Sequence, residues 1–251
     1  MTAMPKRKLF DQSPELINRY VRLTVARWTK RKAFALSRRI SRPRLIWNER
    51  GRKRALVSTL QTIAYETARA KRLKLEANTT VLNIGLFFLI AERDIQAVKI
   101  DALTHPDPWV RGLASRLMLL TVHELDIDKV AGSKLRQALD DGKVPEALRN
   151  EVTEAMRSIR KAQAQAQKQF ASLRNSTIAH RDPDALQQYR DIVALDGLEV
   201  TKVVVDFYAG TSKFLAVMPR LLTHLGRMDG LLAQLQAQRD REQAKSAAGK
   251  S

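Results

Sequence analysis

Residues 145–173 read PEALRNEVTEAMRSIRKAQAQAQKQFASL. Along them Leu148, Val152, Met156, Ile159, Ala162, Ala166, Phe170 and Leu173 recur in steps of three or four. That period predicts one long helix with a single inward face. Pro145 opens it at a first-turn position, where a missing N–H leaves nothing unsatisfied. The alternation of Ala, Gln and Lys over 162–169 reads as good helix propensity on an exposed face. A helix with one apolar stripe is stable only against partners, so this stretch, the longest helix expected, needs neighbouring helices to cover it.

The neighbouring segments supply those partners. Toward the N-terminus, helices are expected over 130–139, ended by Asp141-Gly142, and over 109–124. His105-Pro106-Asp107-Pro108 is a stop and restart. Residues 79–103 are apolar nearly all round in their first half, which predicts burial. Leu56, Leu60, Ile63, Thr67 and Ala70 mark a helix over 52–75. Another is expected over 13–39, with Ser13 as its cap, Pro14 at its first position and Leu16, Tyr20 and Leu23 inward. Ser41-Arg42-Pro43 is expected to separate the two. Toward the C-terminus, Asp182-Pro183 should cap and open a helix to Val193, and Asp196-Gly197 should turn into a helix over 198–225, kinked at Pro219. Beyond Gly230 a Gln/Ala/Lys-rich tail reads as a frayed helix or as disordered. No alternating apolar and polar run argues for a strand. The expected fold class is all-α: a helical bundle over 77–228, additional basic helices within 1–76, and a low-complexity tail over 229–251.

The charge is unevenly spread. Of a formal net charge of +19, residues 1–76 carry +16, from 21 Lys/Arg against 5 Asp/Glu. Such a region attracts a polyanion: nucleic acid first, an anionic membrane surface second, with a merely solvated basic face as the remaining reading. The cations expected to hold RNA are Arg31, Lys32, Arg38, Arg39, Arg42, Arg44, Arg52, Lys53 and Arg54, joined by Arg181 further on. Trp28, Trp47 and Trp109 are read as packing anchors before base-stacking platforms. Cysteine is absent, which excludes a disulfide framework and a thiolate metal site and suits the cytoplasm. The longest apolar run, Val81–Ala91, is too short to cross a bilayer, and no charged-then-apolar signal segment opens the chain. His105, His123 and His224 lack metal-ligand spacing with carboxylates, and there is no Walker loop. Neither metal nor cofactor nor membrane is expected.

Immediately after the long helix comes Arg174-Asn175-Ser176-Thr177-Ile178-Ala179-His180-Arg181-Asp182. Histidine titrates near neutrality and can take or give a proton, while arginine stays charged and offers a planar fork to phosphate oxygens. Arg116 precedes His123 by an allowed spacing too, but across a mostly apolar spacer, so His123 reads as a half-buried helix-end residue. In the 174–180 segment the spacer is small and largely polar.

Leu173-Arg174-Asn175 and Ile178-Ala179-His180-Arg181-Asp182 resemble the signature of the HEPN superfamily (the helical domain named for its occurrence in higher eukaryotes and prokaryotes), in its abortive-infection and toxin branches. The resemblance covers the motif and its flanking helices, about residues 110–228; the first 76 residues show no family. It implies a HEPN-like bundle over 77–228 acting as a metal-independent endoribonuclease, two copies of the motif meeting in a homodimer, and products with a cyclic phosphate and a free 5′-hydroxyl. It assigns His180 and Arg174 as the catalytic pair and Asn175 as the polar residue beside them. It also implies an antitoxin or another anti-phage defence protein as partner. Some branches keep a tyrosine two positions after the histidine; here that position is Asp182, which speaks against control through a modified tyrosine.

On one straight helix Arg174 and His180 lie about 120° and ~9 Å apart, too far to converge on one phosphate. Either the helix ends near Thr177 or a second chain completes the site. The second is preferred, because His180 continues the apolar stripe seven residues after Leu173, and it predicts an inactive monomer. Two quieter readings stand beside the nuclease. His180 caps a helix end while Arg174 pairs with Asp182 or Asp184. Or the protein is a non-catalytic nucleic-acid-binding or adaptor bundle.

Overall fold

The apolar run at Val81–Ala91 becomes the centre of the molecule. In a computed structural model, residues 14–173 and 184–248 are described, and every element among them is a helix. They are α1 (Pro14–Arg72), α2 (Glu76–Thr104), α3 (Pro108–His123), α4 (Ile127–Asp141), α5 (Glu146–Leu173), α6 (Ala185–Ala194), α7 (Gly197–Leu225) and α8 (Met228–Ala248). α2 packs against α1, α3, α4 and α7, while α5 and α7 form the other main pair and α3 bridges the two groups.

A continuous core follows from this arrangement. Val81, Ile84 and Phe88 of α2 meet Phe207, Phe214 and Leu221 of α7, all fully buried. Phe88 and Phe214 pack edge to face, ring centroids 5.4 Å apart, which sets the negative face of one ring against the positive edge of the other. Val152, Met156, Ile159, Ala162, Ala166 and Phe170 of the expected α5 stripe are buried. Gly210 lets α7 approach α5 closely: a Cβ there would stand 2.9 Å from the backbone nitrogen of Ile159.

Aspartates and left-handed lysines terminate the helices. Asp107, Asp126, Asp184 and Asp196 accept from backbone N–H groups in the first turns of α3, α4, α6 and α7. Lys74 and Lys143 take φ of 56° and 46°. Behind them Leu75 N–H reaches Ala70 O and Val144 N–H reaches Leu139 O, each at 3.0 Å, the paired closure of a Schellman end. Lysine replaces the usual glycine there at some backbone cost.

Expectations about helix boundaries and lengths meet the structure as follows. Ser41-Arg42-Pro43 does not end a helix: α1 is continuous for 59 residues with Pro43 inside it, and it, not α5, is the longest. Arg42 ties this segment to its neighbour. Its guanidinium pairs with Asp101 at 2.7 Å and donates to Thr104 at 3.4 Å, fixing the backbone to α2 beside the proline. Pro43 is on the exposed side, where water can take the carbonyl its missing N–H leaves free. Of the two expectations for the chain beyond Gly230 the helical one stands: it forms α8, tied to the rest of the protein by side-chain bonds. Gln234 donates to Asn78 Oδ1 and Leu225 O, Gln238 donates to Lys74 O, and Arg241 pairs with Asp141 and Glu76. The cap of α6 is Asp184, which accepts from Leu186 and Gln187 N–H; the expected Asp182-Pro183 lies outside the described residues, as does Ser13.

Candidate functional site

Arg174, Asn175, His180 and Arg181 lie outside the described residues; the helices on either side are described. α5 is described as far as Leu173, with Phe170 buried one turn earlier and Ala166 two turns earlier. The chain resumes at Asp184, whose carboxylate is occupied in capping α6. A cleft of about 370 Å³ beside these ends is lined by Gln169, Phe170, Asp191, Ala194, Leu195, Asp196 and Glu199. Its carboxylates repel phosphate, so RNA entering there needs cations from elsewhere. α6 buries none of its residues and exposes Leu186, Tyr189 and Val193 in a stripe at helical spacing.

Residues 14–72 of the basic region form one helix, and the expected RNA-facing cations divide. Lys32, Arg39, Arg44, Arg52, Lys53 and Arg54 are exposed on α1. The side chains of Arg31 and Arg38, also on α1, lie outside the description. Arg42 is not a free cation, because Asp101 and Thr104 hold it against α2. Arg52 remains exposed while standing 3.6 Å from Glu49. The tryptophans depart from their expected role as packing anchors: Trp28, Trp47 and Trp109 are 59%, 71% and 50% exposed.

A half-buried polar cluster escaped sequence reasoning. Glu49 of α1 accepts from Gln96 at 3.1 Å and pairs with Lys99 at 2.9 Å, both on α2. Lys99 also stands over the Tyr208 ring, 5.8 Å from its centroid. Tyr208 O–H donates to Glu92 O at 3.2 Å, and Thr211 O–H donates to the Glu92 carboxylate. Burial pushes the Glu92 carboxyl above the ordinary glutamate range, with Thr211 and Lys99 offsetting only part of that. Burial works in the same direction on Glu49, but hydrogen bonds from Lys99 and Gln96 outweigh it and hold that carboxyl low. Burial, followed by the charges of Glu92 and Glu49, raises the Tyr208 phenol and keeps it protonated. The cluster locks α1, α2 and α7 together. Its one sequence signal was a charged residue, Glu92, directly after the apolar run of α2.

The described histidines have structural work at helix ends. His105 Nδ1 accepts from Asp107 N–H at 3.1 Å, His123 Nδ1 meets Glu124 at 3.2 Å and His224 Nε2 meets Gly142 O at 3.1 Å. Arg116 is buried, lies 5.9 Å from the Trp109 ring centroid and reaches Gly112 O. Among the described residues no group of His, Asp and Glu has the arrangement of a metal site, and no helix is long and apolar enough to cross a membrane. No family model, curated protein or solved structure matches the chain.

Proposed function

We propose that this protein binds RNA along α1 and cleaves it with the Arg174–His180 segment, as a metal-independent endoribonuclease of HEPN type serving as a toxin or anti-phage effector. The observation that carries the reading is the motif itself, between two helices. In this reading the 2′-hydroxyl of the substrate attacks the adjacent phosphorus. His180 removes or returns the proton, Arg174 neutralises the charge gathering on the phosphoryl oxygens, and Asn175 orients one of them. The 5′-oxygen leaves with a proton, so the products are a 2′,3′-cyclic phosphate and a 5′-hydroxyl.

Two copies complete the site. The exposed stripe of Leu186, Tyr189 and Val193, beginning just beyond the motif, supports a paired arrangement. The test is an RNA carrying one 2′-deoxy sugar at the cut position. The unmodified RNA is cut in the presence of EDTA, leaving a cyclic phosphate, and the modified one resists. Cutting of both, or loss of cutting with EDTA, removes the proposal.

A second reading has a specific observation in its favour. The exposed basic face of α1 suffices for binding without scission. Salt-sensitive RNA binding by the wild-type protein with no cleavage, and harmless expression, select it.

A further inference from the structure

A polyanion held only by its charge would need nothing from α1 except lysine and arginine. The exposed face of that helix offers more. From Trp28 to Arg54, steps of three and four residues run through Lys32, Leu36, Arg39, Pro43, Trp47 and Arg50. Residues at that spacing share one helix face, and every member of this stripe is exposed. The side packed toward the bundle is a different one, marked by Leu56, Leu60, Ile63 and Ala70.

Within the stripe each tryptophan is coupled to a cation. Lys32 Nζ lies 5.7 Å from the Trp28 ring centroid, and Arg50 Cζ lies 5.6 Å from that of Trp47. The pair is therefore a flat π-surface with a positive charge within one side-chain length, and it occurs twice. A nucleotide has the matching parts, a planar base and a phosphate anion. The two pairs are 19 residues apart, or about 28 Å along the helix. Bases in a duplex are stacked on each other and have no free face, whereas those of a single strand do. From the paired placement of rings and charges we infer that α1 is a single-strand platform: Trp28 and Trp47 stack on unpaired RNA bases while Lys32, Arg39, Arg50 and Arg54 follow the phosphates.

Competing occupants fit less well. A membrane-surface helix separates a wide apolar face from a polar one, but here Lys32, Arg39 and Arg50 interrupt the apolar residues on the same stripe. A second copy of α1 would bring two strongly basic helices together, each within a region of net charge +16.

The inference rests on α1 being the RNA-holding element of the proposed function, and its test separates the two. The probes are a labelled oligouridylate and an RNA duplex of matching length, bound to the full-length His180→Ala protein so that neither is cut. Trp28→Ala and Trp47→Ala should each weaken oligouridylate binding about tenfold. Trp28→Phe and Trp47→Phe should restore most of it, and duplex affinity should stay unchanged. Circular dichroism of the variants verifies that α1 remains helical. Unchanged oligouridylate affinity, or equal losses for strand and duplex, overturns the stacking platform and leaves RNA binding in place. Binding to neither RNA overturns both. Tryptophan emission that responds to phosphatidylserine vesicles and not to oligouridylate assigns the face to a membrane and overturns the inference.

Discussion

α1 and α2 lie side by side and follow opposite rules. α2 buries Val81, Ile84, Phe88 and Ile95 completely and packs against α1, α3, α4 and α7. α1 is twice as long, yet only Ile63 and Ala70 of its described side chains are fully inside. One helix organises the fold, and the other presents charge and aromatic rings to solvent. The lesson is that the two halves of α1 are held differently: Arg42 and Glu49 fasten the first to α2 by polar bonds, while Leu56, Leu60, Ile63 and Ala70 pack the second against the core.

This contrast makes opposing demands on mutants. Replacing Arg39, Arg44, Lys53 and Arg54 together by Glu should lower RNA affinity by about a thousandfold or more at low salt. The slope of log affinity against log salt should fall by roughly three, near 0.7 for each single-strand phosphate that is no longer neutralised. Unfolding free energy, read from urea titration, should change by about 1 kcal/mol or less, as for other surface changes. A large stability loss would show that α1 is part of the scaffold and would break the comparison. In α7, Phe214→Ala should do the reverse, costing about 3–5 kcal/mol through the cavity left beside Phe88, while a protein that still folds binds RNA as before.

The bundle can also be overfilled. Gly210→Ala places its methyl against the Ile159 backbone, which cannot swing away as a side chain would. A cost of about 1–3 kcal/mol is expected in the same titration. A neutral result would mean that α5 and α7 have slack between them at this crossing.

The polar seam between the two regions gives a pH signature. The Glu92 carboxyl is raised in the folded state, so folding favours its protonated form. Its stabilising effect is full below the ordinary glutamate value of 4.5 and is lost as pH rises through the folded value. Glu92→Gln, which still accepts from Thr211, should therefore be more stable than wild type at neutral pH, and the difference should vanish in acid. Glu49 runs the other way: its lowered carboxyl contributes above the ordinary value, and that contribution disappears as pH falls through the folded one. Urea midpoints of Glu92→Gln and Glu49→Gln against pH should therefore diverge from wild type in opposite senses. The smallest effect is at the α4–α5 connection, where Lys143→Gly relieves a left-handed lysine and should gain up to about 1 kcal/mol in that assay.

The parts of the fold that sequence made legible are those governed by local periodicity. The α5 stripe, the nearly all-apolar start of α2 and the restart at Asp107-Pro108 each depend on residues a few positions apart. The parts it hid depend on distant partners. Beside Pro43, Arg42 of α1 meets Asp101 of α2, and in α8 Gln234 meets Asn78, 156 residues away. At the candidate site the same division holds. The charge of α1 could be counted, but the capture of Arg42 and the exposure of Trp28 and Trp47 are products of packing. The Arg174–His180 pattern was legible as chemistry, and its proposed completion by a second chain is a three-dimensional matter that spacing alone leaves open.

The most direct test of the central claim compares wild type with His180→Ala on the same single-stranded RNA, measuring binding and cleavage separately. The account predicts that the variant binds with unchanged affinity through α1 and no longer cuts. Undiminished turnover by a folded His180→Ala protein would contradict it.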